Sequence, residues 1–63
     1  MTWILNKKTT ATFTPDANDV NFTYFAKGME FPLVEDSSNP DMKKVTTGAG
    51  AVFYVPASDI EQV

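Results

Sequence analysis

Acid–base chemistry needs two carboxylates, or a carboxylate and a base, held close enough to share a proton. The chain offers Asp16/Asp19 and Glu35/Asp36 as candidate pairs. It has no His, Cys or Arg, which removes the commonest general bases, thiol nucleophiles and oxyanion clamps. All four carboxylates fall in polar, loop-like sequence, where water keeps the charged form stable and the proton affinity ordinary. Asp16 with Asp19, or Asp36 with Asp41, gives the start of a cation site, but neither has the extra oxygen ligands and the glycine of a calcium loop. No catalytic residue, metal or cofactor is therefore expected. Each carboxylate also has a plain alternative role, that of keeping a loop solvated.

The basic residues are five lysines at positions 7, 8, 27, 43 and 44, and the formal net charge is −3. Without arginine the chain lacks the side chain best suited to bidentate phosphate and base-edge contacts. Lys43 and Lys44 are adjacent, so on a strand they face opposite sides and cannot form one patch; the same holds for Lys7 and Lys8. A weak platform of lysine and aromatic rings is the most that nucleic-acid binding could use, and the acidity counts against it.

Positioning these groups falls to a chain of 63 residues, room for a single domain over residues 1–63. With no cysteine there is no disulfide, so the core has to come from the apolar side chains, with the eight aromatics expected to carry it. The signal along the chain has period two. Thr9–Phe13 is a β-branched run stopped by Pro15, and 14–20 is a polar turn-rich loop. Asn21–Phe25 is aromatic and extended, and Lys27-Gly28 turns the chain into 29–34, where Met29, Phe31 and Leu33 share a face. A second loop covers 35–41. Residues 42–47 and 51–55 form a hairpin around Gly48-Ala49-Gly50, Pro56 ends the second strand, 57–59 makes one helical turn and 60–63 closes the sheet. No stretch has helical apolar spacing. This pattern predicts an all-β protein of five to six short strands with one 3-10 turn near the C-terminus.

The segments Ala11-Thr12-Phe13, Lys27-Gly28 and above all Tyr54-Val55-Pro56-Ala57-Ser58-Asp59-Ile60 resemble the Src-homology-3 (SH3)-like small barrels. The resemblance runs from about Thr10 to Val63 and implies a small barrel, with residues 1–8 as an N-terminal extension or an extra edge strand. That family docks proline-rich segments on an aromatic groove. Phe13, Tyr54 and Pro56 stand on groove positions, but Pro15 and Asp59 replace tyrosines and Met42 or its neighbour replaces the groove tryptophan. The family's usual ligand is therefore not expected. In style, a short chain with such a barrel is similar to small phage, prophage or bacterial proteins.

These readings point to a non-catalytic protein–protein interaction module, such as a small regulator of a host protein. In the barrel the chain resembles, the first two loops flank the groove. Here they carry Asp16, Asp19, Glu35, Asp36 and Asp41, five of the eight acidic residues. The expected partner surface is Phe13, Asp16, Asp19, Asp36, Asp41, Tyr54 and Pro56, an apolar floor with an acidic rim that suits a basic or amphipathic protein segment. The alternatives are a self-assembling homo-oligomer built on the apolar Met1–Leu5 edge, and a weak nucleic-acid-binding barrel. Asn6, Lys7 and Lys8 directly after Leu5 leave no secretory h-region of about 7 residues, and no apolar run reaches the roughly 18 of a membrane span. A cytoplasmic protein that does not contact membranes is the default expectation.

Overall fold

In a computed structural model, which describes residues 2–63, the chain is all-β. Eight strands follow in order: β1 (Trp3–Leu5), β2 (Thr9–Thr12), β3 (Phe22–Phe25), β4 (Glu30–Phe31), β5 (Leu33–Asp36), β6 (Met42–Thr46), β7 (Val52–Pro56) and β8 (Ile60–Gln62). A single 3-10 turn, Ala57–Asp59, separates β7 from β8. Met1, which opens the apolar Met1–Leu5 stretch, lies outside the described residues.

The strands form two antiparallel sheets, one of order β4-β1-β8 and one of order β3-β2-β7-β6-β5. This corrects two expectations. There are eight strands, not five or six, and the ladders form open sheets that end at β3, β5, β4 and β8, not a closed barrel. The chain passes from one sheet to the other four times, once through the Gly28 turn between β3 and β4, and the physical reason lies in the other three breaks. They are residues 6–8 between β1 and β2, Pro32 between β4 and β5, and the 3-10 turn between β7 and β8. Of these, Pro32 divides what the sequence reads as one run, 29–34. β2 meets β7 at a single rung, Thr12 opposite Tyr54, so the continuity of the larger sheet there is slight.

Pro32 also corrects the face assigned to 29–34. It brings no N–H to a ladder, so β4 stays with β1 while β5 moves to β6. The alternation slips there. Phe31 is fully buried and Met29 packs on the core, but Leu33 points out and Val34 points in. Likewise β1 is neither an extension nor an extra edge strand. It is the middle strand of its sheet, with Trp3 opposite both Phe31 and Gln62.

Leu5, Ala11, Phe31, Val45, Val55 and Ile60 form the core, with Trp3, Phe25, Met29, Val34 and Phe53 packed around it. Burying each large member contributes about 1.5–3 kcal/mol, enough to matter in a domain this small. Among the aromatics only Phe31 is fully buried, contrary to the expectation that all eight serve the core. Phe13, Phe53, Phe25 and Phe31 instead make a column of rings from surface to centre, with centroid spacings of 5.3, 4.9 and 5.8 Å. Two turns need glycine: Gly28 (φ 88°), whose N–H donates to the Leu5 carbonyl at 2.8 Å, and Gly50 (φ 86°) in the β6–β7 hairpin.

Two of the four crossings, β1 to β2 and β7 to β8, are tied to each other by Asp59, the one buried acidic residue. The Thr9 hydroxyl donates to its carboxylate, and the Lys7 ammonium lies 3.1 Å from the other oxygen. The Asn6 backbone N–H donates to the Asp59 carbonyl at 2.8 Å, and the Asn6 side-chain amide donates to the Ser58 carbonyl at 3.1 Å. Asp59→Ala is expected to lower unfolding free energy by about 2–3 kcal/mol in urea titration, because it leaves the buried Thr9 hydroxyl without its acceptor. Lys7→Met should cost less than about 1 kcal/mol, since the lysine is largely exposed and solvent screens the pair. Equal costs for the two would contradict the role given to Asp59.

Candidate functional site

Strand register assigns every side chain of the larger sheet to one of two faces, because residues directly opposite each other point the same way. The inner face carries Phe25, Ala11, Phe53, Val55, Val45 and Val34, the outer wall of the core. The outer face carries Phe22 and Tyr24 on β3, Thr10 and Thr12 on β2, and Val52, Tyr54 and Pro56 on β7. It continues with Met42, Lys44 and Thr46 on β6 and Leu33 and Glu35 on β5.

Four large apolar residues of that outer face are exposed: Phe22 (48%), Tyr24 (62%), Leu33 (48%) and Val52 (40%). The Phe22 and Tyr24 rings meet edge-on at 5.5 Å, and the Lys8 ammonium lies 5.4 Å from the Tyr24 ring centre. Tyr54 is half-buried beside Thr12 and Lys44. The face is covered at two points: Thr12 on β2, and Met42, directly after the 37–41 loop, are buried. Isolated exposed apolar residues are ordinary, but a run sharing one sheet face marks an interaction surface.

The expected surface residues are only partly brought together. Tyr54 and Pro56 share the outer face. Phe13 does not join them. It has the parity of Ala11 and stacks on Phe53 at 5.3 Å, at the open end of the core column. The reason is strand alternation: Phe53 and Tyr54 are neighbours, so a ring stacked on one cannot share the other's face. Phe22, Tyr24, Leu33 and Val52 were not singled out from the sequence. For β3 the signal was there, as the alternation Phe22-x-Tyr24; for Leu33 it was hidden by the slip at Pro32.

The loops that carry the acidic residues do touch. The Asn39 side-chain amide donates to the Pro15 carbonyl at 3.1 Å, joining the 13–21 loop to the 37–41 loop. Asp16 and Asp19 shape the first loop: Asp16 accepts from the Asn18 N–H and Asp19 from the Asn21 N–H, both at 2.9 Å, and the Thr14 hydroxyl also donates to Asp19 at 2.9 Å. The Asn21 N–H, then the Thr14 hydroxyl, hold the Asp19 carboxyl below the ordinary aspartate value. Glu35 and Asp36 belong to β5 and not to a loop, and Asp36 is paired with Lys43 across the β5–β6 ladder. The hydrogen bond from Lys43, then its charge, lowers the Asp36 carboxyl also. Asp41 is exposed; its N–H donates to the Asn39 side chain and its carbonyl accepts from Ala57. Asp59, aligned with a groove tyrosine in the resemblance, is instead the buried clamp.

Each neighbouring lysine pair divides, Lys43 and Lys44 by strand alternation and Lys7 and Lys8 in the break between β1 and β2. Lys43 faces Asp36 while Lys44 sits opposite Tyr54, and Lys7 reaches Asp59 while Lys8 lies over Tyr24. A surface cleft of about 330 Å³ is lined by Thr2, Glu30, Phe31, Pro32 and Gly48. It forms where Pro32 turns the chain out of the first sheet, and Glu30 is its one ionisable side chain. A single carboxylate supplies no acid–base pair. Among the described residues, no group of three or more acidic side chains converges as a metal site and no helix is long and apolar enough to cross a membrane.

Comparison with known protein families, with curated proteins and with solved structures finds no match to this chain.

The lowered carboxyls fix a pH dependence. Stabilisation from Asp19 and Asp36 is fully present above their ordinary value of 3.8 and is lost as pH falls through their lower folded values. NMR titration of the side-chain carboxyl carbons should place both midpoints below 3.8. Lys43→Met should return Asp36 toward the ordinary range and leave Asp19 where it is; an unmoved Asp36 would mean that the ion pair does not form in solution.

Proposed function

We propose that this protein is a non-catalytic protein–protein interaction module, of the kind a small phage or bacterial regulator uses on a host protein, working from the cytoplasm. The observation that carries the reading is the outer face of the larger sheet. It leaves two adjacent aromatic rings, Leu33 and Val52 facing water with Tyr54 half-exposed among them, beside loops joined at Asn39–Pro15 that carry Asp16, Asp19 and Asp41. An aromatic floor next to acidic loops suits a basic, amphipathic partner segment. The apolar side chains supply the affinity, and the carboxylates speed encounter and set orientation.

The proposal keeps the SH3-like kinship for the fold. Its support is the order of parts: a long loop after β2, a tight glycine hairpin between β6 and β7, and a 3-10 turn ahead of the last strand. The binding surface, however, differs from the one the resemblance implies. Phe13 leaves it, and Phe22 and Tyr24 enter it. The absence of His, Cys and Arg supports the non-catalytic part of the reading. Nucleic acid is the poorer occupant, since of the five lysines Lys7 and Lys43 are engaged by carboxylates.

The double variant Tyr54→Ala/Asp41→Lys tests the reading, since Asp41 is exposed and Tyr54 lies outside the core. Immobilised wild-type protein should capture a specific partner from a lysate of the source organism, identified by mass spectrometry. The folded double variant should retain less than about a tenth of it, the effect of losing one aromatic anchor and reversing one charge. Capture that is undiminished by the double substitution would remove this face from consideration.

A further inference from the structure

The two sheets have four edges, and three of them are guarded against pairing with another strand. β4 is two residues long and runs into Pro32. β5 follows Pro32 and ends in Glu35 and Asp36. β8 is three residues long and carries Glu61. β3 has none of these protections. It has four residues, pairs only with β2, and lies in an uncharged stretch that runs from Val20 to Ala26. Its free side therefore presents backbone donors and acceptors with no proline, no bulge and no charge to turn away a second strand.

We infer that β3 is a self-recognition edge, on which a second copy of this chain adds its own β3 antiparallel across a twofold axis to join two five-stranded sheets. Geometry narrows the register. A twofold axis perpendicular to the sheet keeps outer faces on one side, and residues opposite each other point the same way, so Phe22 must face an outer residue of the second copy. Centring the axis on Thr23 sets Thr23 against Thr23 once and Phe22 against Tyr24 twice. The edge-on pair of rings at 5.5 Å within one chain thereby becomes a cluster of four rings on one face. Centring it on Tyr24 would set Phe22 against Ala26 and lose that cluster. The stretch itself is neutral, so the two strands set no like charges directly opposite each other and the Lys8 ammonium of each copy lies over its own Tyr24 ring, whereas the net charge of −3 disfavours contacts elsewhere on the surface. The site is also distinct from the Met1–Leu5 edge that the sequence suggested for self-assembly, since β1 is flanked on both sides. The pairing leaves Tyr54 and the acidic loops free, and it gathers Phe22 and Tyr24, two rings of the proposed partner surface, into one patch on the same face; it is argued from the bare strand edge and does not need that partner.

One short edge is a small interface, so the dimer should be weak, with Kd on the order of 100 µM to 1 mM. Sedimentation equilibrium should show the mass rising with concentration from 7.0 kDa toward twice that value. Thr23→Lys places two ammonium groups opposite each other and should weaken association at least tenfold, without touching the outer face. A mixed sample of labelled and unlabelled chain should give intermolecular NOEs between Phe22 and Tyr24 rings, which does not depend on any variant folding. A wild-type chain that stays monomeric at about 2 mM, association unchanged in folded Thr23→Lys, or a dimer lacking those NOEs would each overturn the inference.

Discussion

The structure depends on a buried carboxylate at the place where two strands change sheets. Asp59 ends the 3-10 turn through which β7 becomes β8, and its partners Thr9 and Lys7 sit where β1 becomes β2. A two-sheet protein of this size has few contacts to fix the angle between its layers. Here one side chain, with two further hydrogen bonds from Asn6, holds both crossings together. A buried charge is costly unless each lone pair has a donor, and Thr9, Lys7 and Ser58 supply them. With that angle fixed, Phe31 and Leu5 from one sheet can close against Val45 and Val55 from the other.

The division of faces follows from this. The inner face of the larger sheet is used up by the core, so the outer face is the one on which apolar residues remain available. Three of the eight aromatics, Phe13, Phe22 and Tyr24, are exposed, which a chain with so little core material would not leave unused if stability were the sole demand. The acidic residues carry two duties at once. Asp16 and Asp19 build the first loop through backbone N–H groups, and they still bear charge toward any approaching partner.

Much of the fold was legible in the sequence, because short-range signals wrote it. Period-two alternation gave β2, β3, β6 and β7, glycine marked both turns that need positive φ, and Val55-Pro56 announced the 3-10 turn and last strand. The slip at Pro32 was not legible. A missing N–H can be read from sequence, but which sheet the chain joins afterwards depends on long-range pairing. Closure was likewise misjudged, since whether ladders meet around a barrel is set by partners far apart in the chain. At the candidate site Tyr54 and Pro56 were found and Phe13 was misplaced, because the resemblance supplied positions while register decides faces. Asp59 shows the same limit: its type was plain, and its burial depends on Thr9, fifty residues away.

The central claim is that one face of the larger sheet is closed core and the other is open aromatic surface. Solvent paramagnetic relaxation of the aromatic protons, using a neutral soluble gadolinium chelate, reads this directly. The account predicts strong broadening of Phe22 and Tyr24, intermediate broadening of Tyr54, and protection of Phe31, with Phe25 and Phe53 close to it. Protected Phe22 and Tyr24 rings beside broadened Phe25 and Phe53 rings would mean that the faces are reversed, and would contradict it.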